Sequence, residues 1–255
     1  LYNGVRRLPQ SSAPPLQLAM RWARNKETLR GLNALFNREA ARLTQLFEGQ
    51  GHQTAILKEQ ANARLYLDPE SRQPGDIDIW VEGGRKAVEE MLGHLGLMEG
   101  ADATELHHVS LAKNMAAVPV EVHNQPSHGN INRRTNARLQ SWLKELLGRG
   151  SAMCPEGFRC PSLPFAMSMQ LAHISQHLLT EGVGMRQVVD YYMLLQAASA
   201  SERQQVSDRL KAIGLLHVAE ALMWVQSRPC TASWPLANVY KGASPPLGAD
   251  VVQCV

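Results

Sequence analysis

Leu32, Leu35, Phe36, Ala40, Leu43 and Leu46 recur at steps of three and four. That spacing lays one apolar stripe along a helix. Residues 16–48 are therefore expected to be helical, with Gly49 and Gly51 ending the run. Thr54-Ala55-Ile56-Leu57-Lys58 reads as a short strand, and residues 61–66 as a brief helical stretch. Asp68 to Gly75 is a turn-rich loop. Out of it runs Asp76-Ile77-Asp78-Ile79-Trp80-Val81, the clearest strand of the chain, closed by Gly83 and Gly84. Ala87, Val88, Met91, Leu92 and Leu95 then repeat with helical spacing over 85–97. Residues 107–111 and 117–123 are two further strand candidates, followed by a polar stretch at Gly129 and Asn130. From 135 onward the helical period dominates, with candidate helices at 135–147, 164–180, 185–199, 202–212 and 215–227. Pro229, Pro235, Pro245 and Pro246 make the tail irregular. The pattern predicts an α+β fold. A small mixed sheet with N-terminal helices occupies 16–134, a helical domain 135–227, and an irregular tail 228–255.

Composition narrows the class. The chain has 255 residues, 44% hydrophobic and 19% charged, as in an ordinary soluble globular protein. Its 26 Lys+Arg against 23 Asp+Glu leave +3, too mild for nucleic-acid binding without a clustered basic stripe. Aromatic residues at 5% also count against a base-stacking surface. Nucleic acid is not an expected partner. Cys154 and Cys160 lack the spacing of a zinc knuckle or redox pair. With Cys230 and Cys254 they read as reduced thiols of a cytoplasmic protein. The most apolar late segment, 213–225, is interrupted by His217 and Glu220 and is too short for a membrane span. Residues 1–15 hold no apolar stretch of a signal peptide, and a start at Leu1 suggests a truncated or processed piece.

The chemistry concentrates at Gly75-Asp76-Ile77-Asp78-Ile79. On a strand, Asp76 and Asp78 project from one face while Ile77, Ile79 and Val81 pack under the other. Paired carboxylates repel one another unless a cation neutralises them. Such hard oxygen ligands suit Mg²⁺ held against substrate phosphates. Gly75 gives the chain a sharp entry and leaves room for a ligand. In Val120-Glu121-Val122-His123 the valines face the core, and Glu121 and His123 the other side. If the two strands are neighbours, Asp76, Asp78 and Glu121 converge as ligands for one or two divalent ions against a triphosphate. The third carboxylate is then placed to accept the proton of an attacking hydroxyl. The competing reading of an Asp-x-Asp strand is a solvated edge. His173 and His177, four apart on a helix, are either a half-buried pair or the wall of an acceptor cleft. Of the adjacent His107 and His108, strand alternation lets at most one reach the site. Asp190 reads as half of a surface pair with Arg186, or as part of an acceptor pocket.

Ile56-Leu57-Lys58, Arg64-Leu65-Tyr66, Asp68-Pro69, Arg72 and Gly75-Asp76-Ile77-Asp78-Ile79 resemble, in that order, the core of the polymerase-beta type nucleotidyltransferase superfamily. More narrowly they resemble its bacterial uncharacterised nucleotidyltransferase-like group, over roughly residues 30–200. The resemblance implies a mixed sheet with helices and metal-dependent transfer of a nucleoside monophosphate from an NTP, with ATP the first choice. Mg²⁺ (or Mn²⁺) is the implied cofactor. Asp76, Asp78 and Glu121 fall on the metal-carboxylate positions. Lys58 and Arg72 fall where basic residues border the site, with phosphate contact as their role, beside Gly75. His123, His173 and His177 are the substrate-binding candidates. The acceptor would be a hydroxyl of a small molecule, peptide or protein. One departure stands out. The group keeps a glycine after the lysine, and this chain has Glu59-Gln60 there. A side chain and a negative charge at that turn oppose a triphosphate. The alternative function is therefore a catalytically silent member that binds a nucleotide or a partner.

Overall fold

The apolar stripe of residues 32–46 becomes the buried side of one 33-residue helix, α1 (Leu16–Glu48). Phe36, Ala40, Leu43 and Phe47 are buried along it. The helix stops at Gly49, and Gly51 turns the chain with φ +87°. The computed structural model describes residues 9–130, 132–180 and 182–227. The expected irregular tail 228–255 lies outside them.

Four strands follow: β1 (Thr54–Ile56), β2 (Ile77–Val81), β3 (His108–Ser110) and β4 (Val120–His123). They form one sheet in the order β1-β2-β4-β3. β2 runs antiparallel to β1 and parallel to β4, and β4 antiparallel to β3, so the sheet is mixed. Between strands lie α2 (Gln60–Ala63) and α3 (Gly84–His94). The strands are shorter than the sequence suggests, for a local reason at β4. Pro119 has no N–H to donate, so its carbonyl accepts from Ile77 N but regular pairing begins at Val120.

The alternation along the strands sorts two buried clusters. Ile56, Ile77, Ile79, Val81, Val109 and Val122 pack with α1 and with Val88 and Leu92 of α3. On the other face, Ala55, Leu57 and Trp80 join the apolar side chains of the C-terminal helices. These are α4 (Arg133–Gly148), α5 (Leu163–Thr180), α6 (Met185–Ala197), α7 (Ala200–Leu210) and α8 (Leu216–Ser227). The fold is thus α+β, a small mixed sheet inside a helical body. A two-stranded hairpin, β5 (Ala152–Met153) with β6 (Arg159–Cys160), has no counterpart in the sequence reading. Two-residue strands are too short to show alternation. Cys154 and Cys160, beside and in the hairpin, are free thiols. Cys230 and Cys254 lie outside the described residues. Among the described residues, no helix is long and apolar enough to cross a membrane.

The polar stretch after Gly129 ends in a helix cap. The Asn132 side chain accepts from the backbone N–H groups of Arg134 and Thr135 at the start of α4. Asn132→Ala leaves those donors without it and is expected to destabilise the protein by about 1 kcal/mol. That is a fall of about 2–4 °C in melting temperature at this size, read by calorimetry. Asn132→Asp should hold it.

Candidate active site

Parallel pairing of β2 with β4 sets Asp78 directly opposite Glu121, and Trp80 opposite His123. The pleat puts all four on one face of the sheet. Across β4, His108 sits opposite His123 on β3. Asp76 lies just ahead of β2, and Lys58 just beyond β1. The polar residues of this face and the ends of α5 and α6 enclose a cavity of about 390 Å³. Asp76, Asp78, Glu121, Lys58 and His123 line one wall, and His173, His177, Arg186 and Gln187 the other. Trp80 and Leu57, on the same sheet face, are left to the helical core.

Asp78 is fully buried and held from both sides. His123 Nε2 lies 3.0 Å from its Oδ1, and Lys58 Nζ lies 3.2 Å from its Oδ2. The Lys58 contact is an ion pair without hydrogen-bond alignment, since Oδ2 has no hydrogen-bond partner among the described residues. Burial works against the charge on Asp78, but Lys58 and then His123 hold its pKa below the ordinary carboxylate value. Burial works against the charge on Lys58 too, and the attraction of Asp78, Asp76, Glu59 and Glu121 overcomes it, so Lys58 stays protonated. Burial likewise opposes charge on His123, whose hydrogen bonds to Asp78 and Glu121 raise it to about 9. Asp76 goes the other way. Burial, then repulsion from Asp78, push it up to about 7, with Lys58 opposing. His173 is pushed down to about 3 by burial and then by Lys58, and is neutral.

The structure brings together Asp76, Asp78, Glu121, Lys58, His123, His173 and His177, and their placement differs from the sequence reading at four points. Arg72 does not line the cavity. Its guanidinium is buried between two carboxylates, with Nη1 2.7 Å from Glu59 Oε2 and Nε 2.8 Å from Asp190 Oδ1. A phosphate role at the rim does not fit that position. Asp190 is correspondingly no surface partner of Arg186. It is buried, pairs with Arg72, accepts from Tyr66 Oη at 2.6 Å and lines the cavity, so of the two readings the surface pair alone is set aside. Gly75 also stands off the cavity and has no positive φ; an added Cβ would meet only ordinary contacts at 3.5 Å and beyond. Its conformational freedom is not needed, whereas its N–H is, donating to Glu59 Oε2 at 3.2 Å. Finally, His107 and His108 both line the cavity. β3 begins at His108, so strand alternation does not govern His107.

Glu59 is the sole non-glycine residue at positive φ among the described residues, at 45°. It occupies the turn where a glycine was expected, and its carboxylate takes both Arg72 and the Gly75 N–H. Glu105, His128 and Arg186 are cavity residues that the sequence reading did not place there. Each reaches the cavity through tertiary packing, and no local spacing marks them.

The donor set fits a hard divalent ion. One ligand atom each of Asp78, Glu121 and His123 lies within 4.8 Å of the other two. Asp78 Oδ2 has no hydrogen-bond partner among the described residues, and Asp76, raised first by burial and then by repulsion from Asp78, is a carboxyl whose charge a cation would stabilise. Asp76 stands outside the tight group but faces the same space.

The sequence profile of the family described as "Uncharacterised nucleotidyltransferase" matches residues 1–229. The chain belongs to the uncharacterised nucleotidyltransferase family. No curated protein matches it. Among solved structures it is similar to an antigenic nucleotidyltransferase-like protein from Paracoccidioides brasiliensis. That similarity runs at 12% identity, over 71% of this chain and 93% of that one, with a TM-score of 0.40.

Proposed function

We propose that the protein transfers a nucleoside monophosphate from an NTP, ATP first among them, to a hydroxyl of a small molecule, peptide or protein in the cytoplasm. The observation that carries this is the convergence of Asp76, Asp78 and Glu121 on one cavity that Lys58 and Arg186 also line. The sheet segment, 16–134, supplies the carboxylates, and the helical segment, 135–227, the opposing wall. Asp76, Asp78 and Glu121 would hold Mg²⁺ or Mn²⁺, which when bound neutralises the triphosphate and stabilises the leaving pyrophosphate.

The remaining work falls to the chain's own groups. Lys58 keeps Asp78 ionised and in place through its 3.2 Å contact. Arg186 is exposed at the cavity and free to meet phosphate oxygens with part of its fork, while Nη1 donates to Gln73 O at 3.2 Å. The Glu121 side chain is 30% exposed against 0% for Asp78, so Glu121 is the carboxylate that reaches an acceptor hydroxyl and takes its proton. His173, neutral and 3.2 Å from Gln187 Nε2, and His177, with its ring 4.3 Å from that of His173, form the acceptor wall.

A second reading has one observation in its favour. The Glu59 carboxylate already fills an anion seat beside the cavity, as expected of a silent, partner-binding member. The deciding experiment incubates the full chain with each labelled NTP and Mg²⁺ and follows pyrophosphate release and self-labelling. Metal-dependent release with at least one NTP is the expected result. Absence of metal-dependent NTP binding by calorimetry would overturn the transferase reading and leave the silent one.

A further inference from the structure

Beside the carboxylates stands a histidine group in which the proposed transfer gives His107, His108 and His128 no role. His107, His108, His123 and His128 crowd one end of the cavity. The ring centroids of His107 and His108 are 4.4 Å apart, those of His108 and His123 5.2 Å, and those of His107 and His128 4.6 Å. We propose that His107, His108 and His123 form a binding site for a nitrogen-preferring divalent cation, Zn²⁺, distinct in ligand chemistry from the carboxylate site for Mg²⁺.

Three observations carry the assignment. One ring nitrogen from each of the three histidines lies within 4.8 Å of one from each of the others. Ligand nitrogens of a tetrahedral ion with Zn–N near 2.0–2.1 Å stand roughly 3.3 Å apart. Closing on an ion therefore takes side-chain rotation and release of a proton from His123, and His108 Nδ1 and His107 Nε2 are already 2.9 Å apart. Second, the backbone imposes the arrangement. His108 and His123 are direct cross-strand partners on β3 and β4, and His107 is the residue that enters β3. Third, hydrogen bonding within the protein leaves the cluster incomplete. The 2.9 Å contact uses one nitrogen of His107 and one of His108, while the buried Nδ1 of His123 has no partner among the described residues. A buried polar atom in that state is a departure from the rule for folded chains.

The surroundings match those of a metal-ligating histidine set. Glu105 Oε2 lies 3.7 Å from His107 Nδ1, and Asp78 Oδ1 3.0 Å from His123 Nε2, both in positions to fix ring orientation. Glu121 Oε2, 3.7 Å from His108 Nδ1, marks the boundary with the carboxylate site. Imidazole donors favour zinc, cobalt, nickel and copper, whereas carboxylate oxygens favour magnesium and manganese. The two sites therefore abut at His123 and differ in the donors each adds, imidazole nitrogens on one side and carboxylate oxygens on the other.

Cobalt(II) replaces zinc in such sites and is visible. Titrating the full chain with Co²⁺ should produce one equivalent of a ligand-field absorption band. Zn²⁺ should abolish it, and a large excess of Mg²⁺ should not. The paired substitution His107→Ala/His108→Ala should weaken Co²⁺ and Zn²⁺ binding at least tenfold, on the order seen when zinc sites lose their supporting groups. His107→Gln, which keeps a polar side chain of similar length, should weaken it in the same direction. In the same preparation Asp76→Asn should keep the cobalt band while losing Mn²⁺ affinity, so failure of the transferase reading shows in the Mn²⁺ arm alone. No cobalt band in the wild type, a band that Mg²⁺ competes away, or an unchanged band in both histidine variants would each overturn the proposal.

Discussion

Asp76→Asn is expected to raise the melting temperature of the metal-free protein at pH 8 and, in the same molecule, to abolish both its stabilisation by Mn²⁺ and its transfer activity. The two halves have one cause. Burial, followed by the repulsion of Asp78, lifts the Asp76 pKa from 3.8 to about 7. A carboxyl raised on folding binds its proton more tightly in the native state, so folding is opposed wherever that proton is absent. The penalty begins above pH 3.8, grows as pH rises through about 7, and is complete at pH 8. Every tenfold gain in proton affinity on folding corresponds to about 1.4 kcal/mol. Asp76 keeps some contact with solvent, and screening reduces the gain from a neutral amide to about 1–2 kcal/mol, or about 2–8 °C. At pH 4 wild type and variant should melt together. Added Mn²⁺ should stabilise the wild type by binding only the native state, and leave the variant unmoved. Transfer should fall by about three orders of magnitude, ~4 kcal/mol of transition-state stabilisation. Equal Mn²⁺ shifts in the two proteins would remove Asp76 from the metal site, and a lower melting temperature at pH 8 would refute the account of its charge.

Such a site is legible in the sequence to the extent that alternation makes it so. The Asp76–Val81 and Val120–His123 segments announce which side chains share a face, because strand side chains alternate with a period of two. The parallel pairing that sets Asp78 opposite Glu121 is a property of the sheet. It enters the sequence reading as a condition, and the fold supplies it. Helical spacing also gives α1 and the apolar face it lays on the sheet. Partnerships between residues far apart leave no such trace. Arg72 and Asp190 are 118 positions apart, Tyr66 and Asp190 124, and no local pattern links them. A basic residue in a loop before an acidic strand looks like a rim residue until α6 is seen to cover it. His107 and His108 depart from expectation for a smaller reason. Alternation holds only within a strand, and β3 begins one residue after His107. Glu59 is legible as an anomaly and illegible as a structure, since its use becomes clear only with Arg72 and Gly75 beside it.

That buried bridge yields the other large effect. Arg72→Ala should lower stability by about 3–5 kcal/mol, because it strands the Glu59 and Asp190 carboxylates without their cation in a buried setting. In a chain of this size that is a fall of about 6–20 °C by thermal melting. The bridge joins the β1–β2 connection to α6, and Asn33 of α1 caps the Arg72 carbonyl at 2.8 Å, so three elements loosen together. Glu59→Gly should behave differently although it removes the opposite end of the same bridge. Arg72 keeps its two contacts with Asp190, and glycine relieves a residue held at φ 45°. The net loss should stay near 1 kcal/mol. The variant also leaves Arg72 Nη1 with only its 3.3 Å bond to Gln73 O and releases the Gly75 N–H, two donors that now converge on one carboxylate oxygen at 2.7 and 3.2 Å. Since Glu59 lines the cavity, those donors would be offered to the triphosphate in its place. Calorimetric titration with Mg²⁺–ATP should then show tighter binding to Glu59→Gly than to wild type, by about tenfold for ~1.4 kcal/mol of added contact. A variant that melts as low as Arg72→Ala and binds ATP no better would make Glu59 a structural bridge alone, and the seat beside the cavity would hold nothing but that side chain.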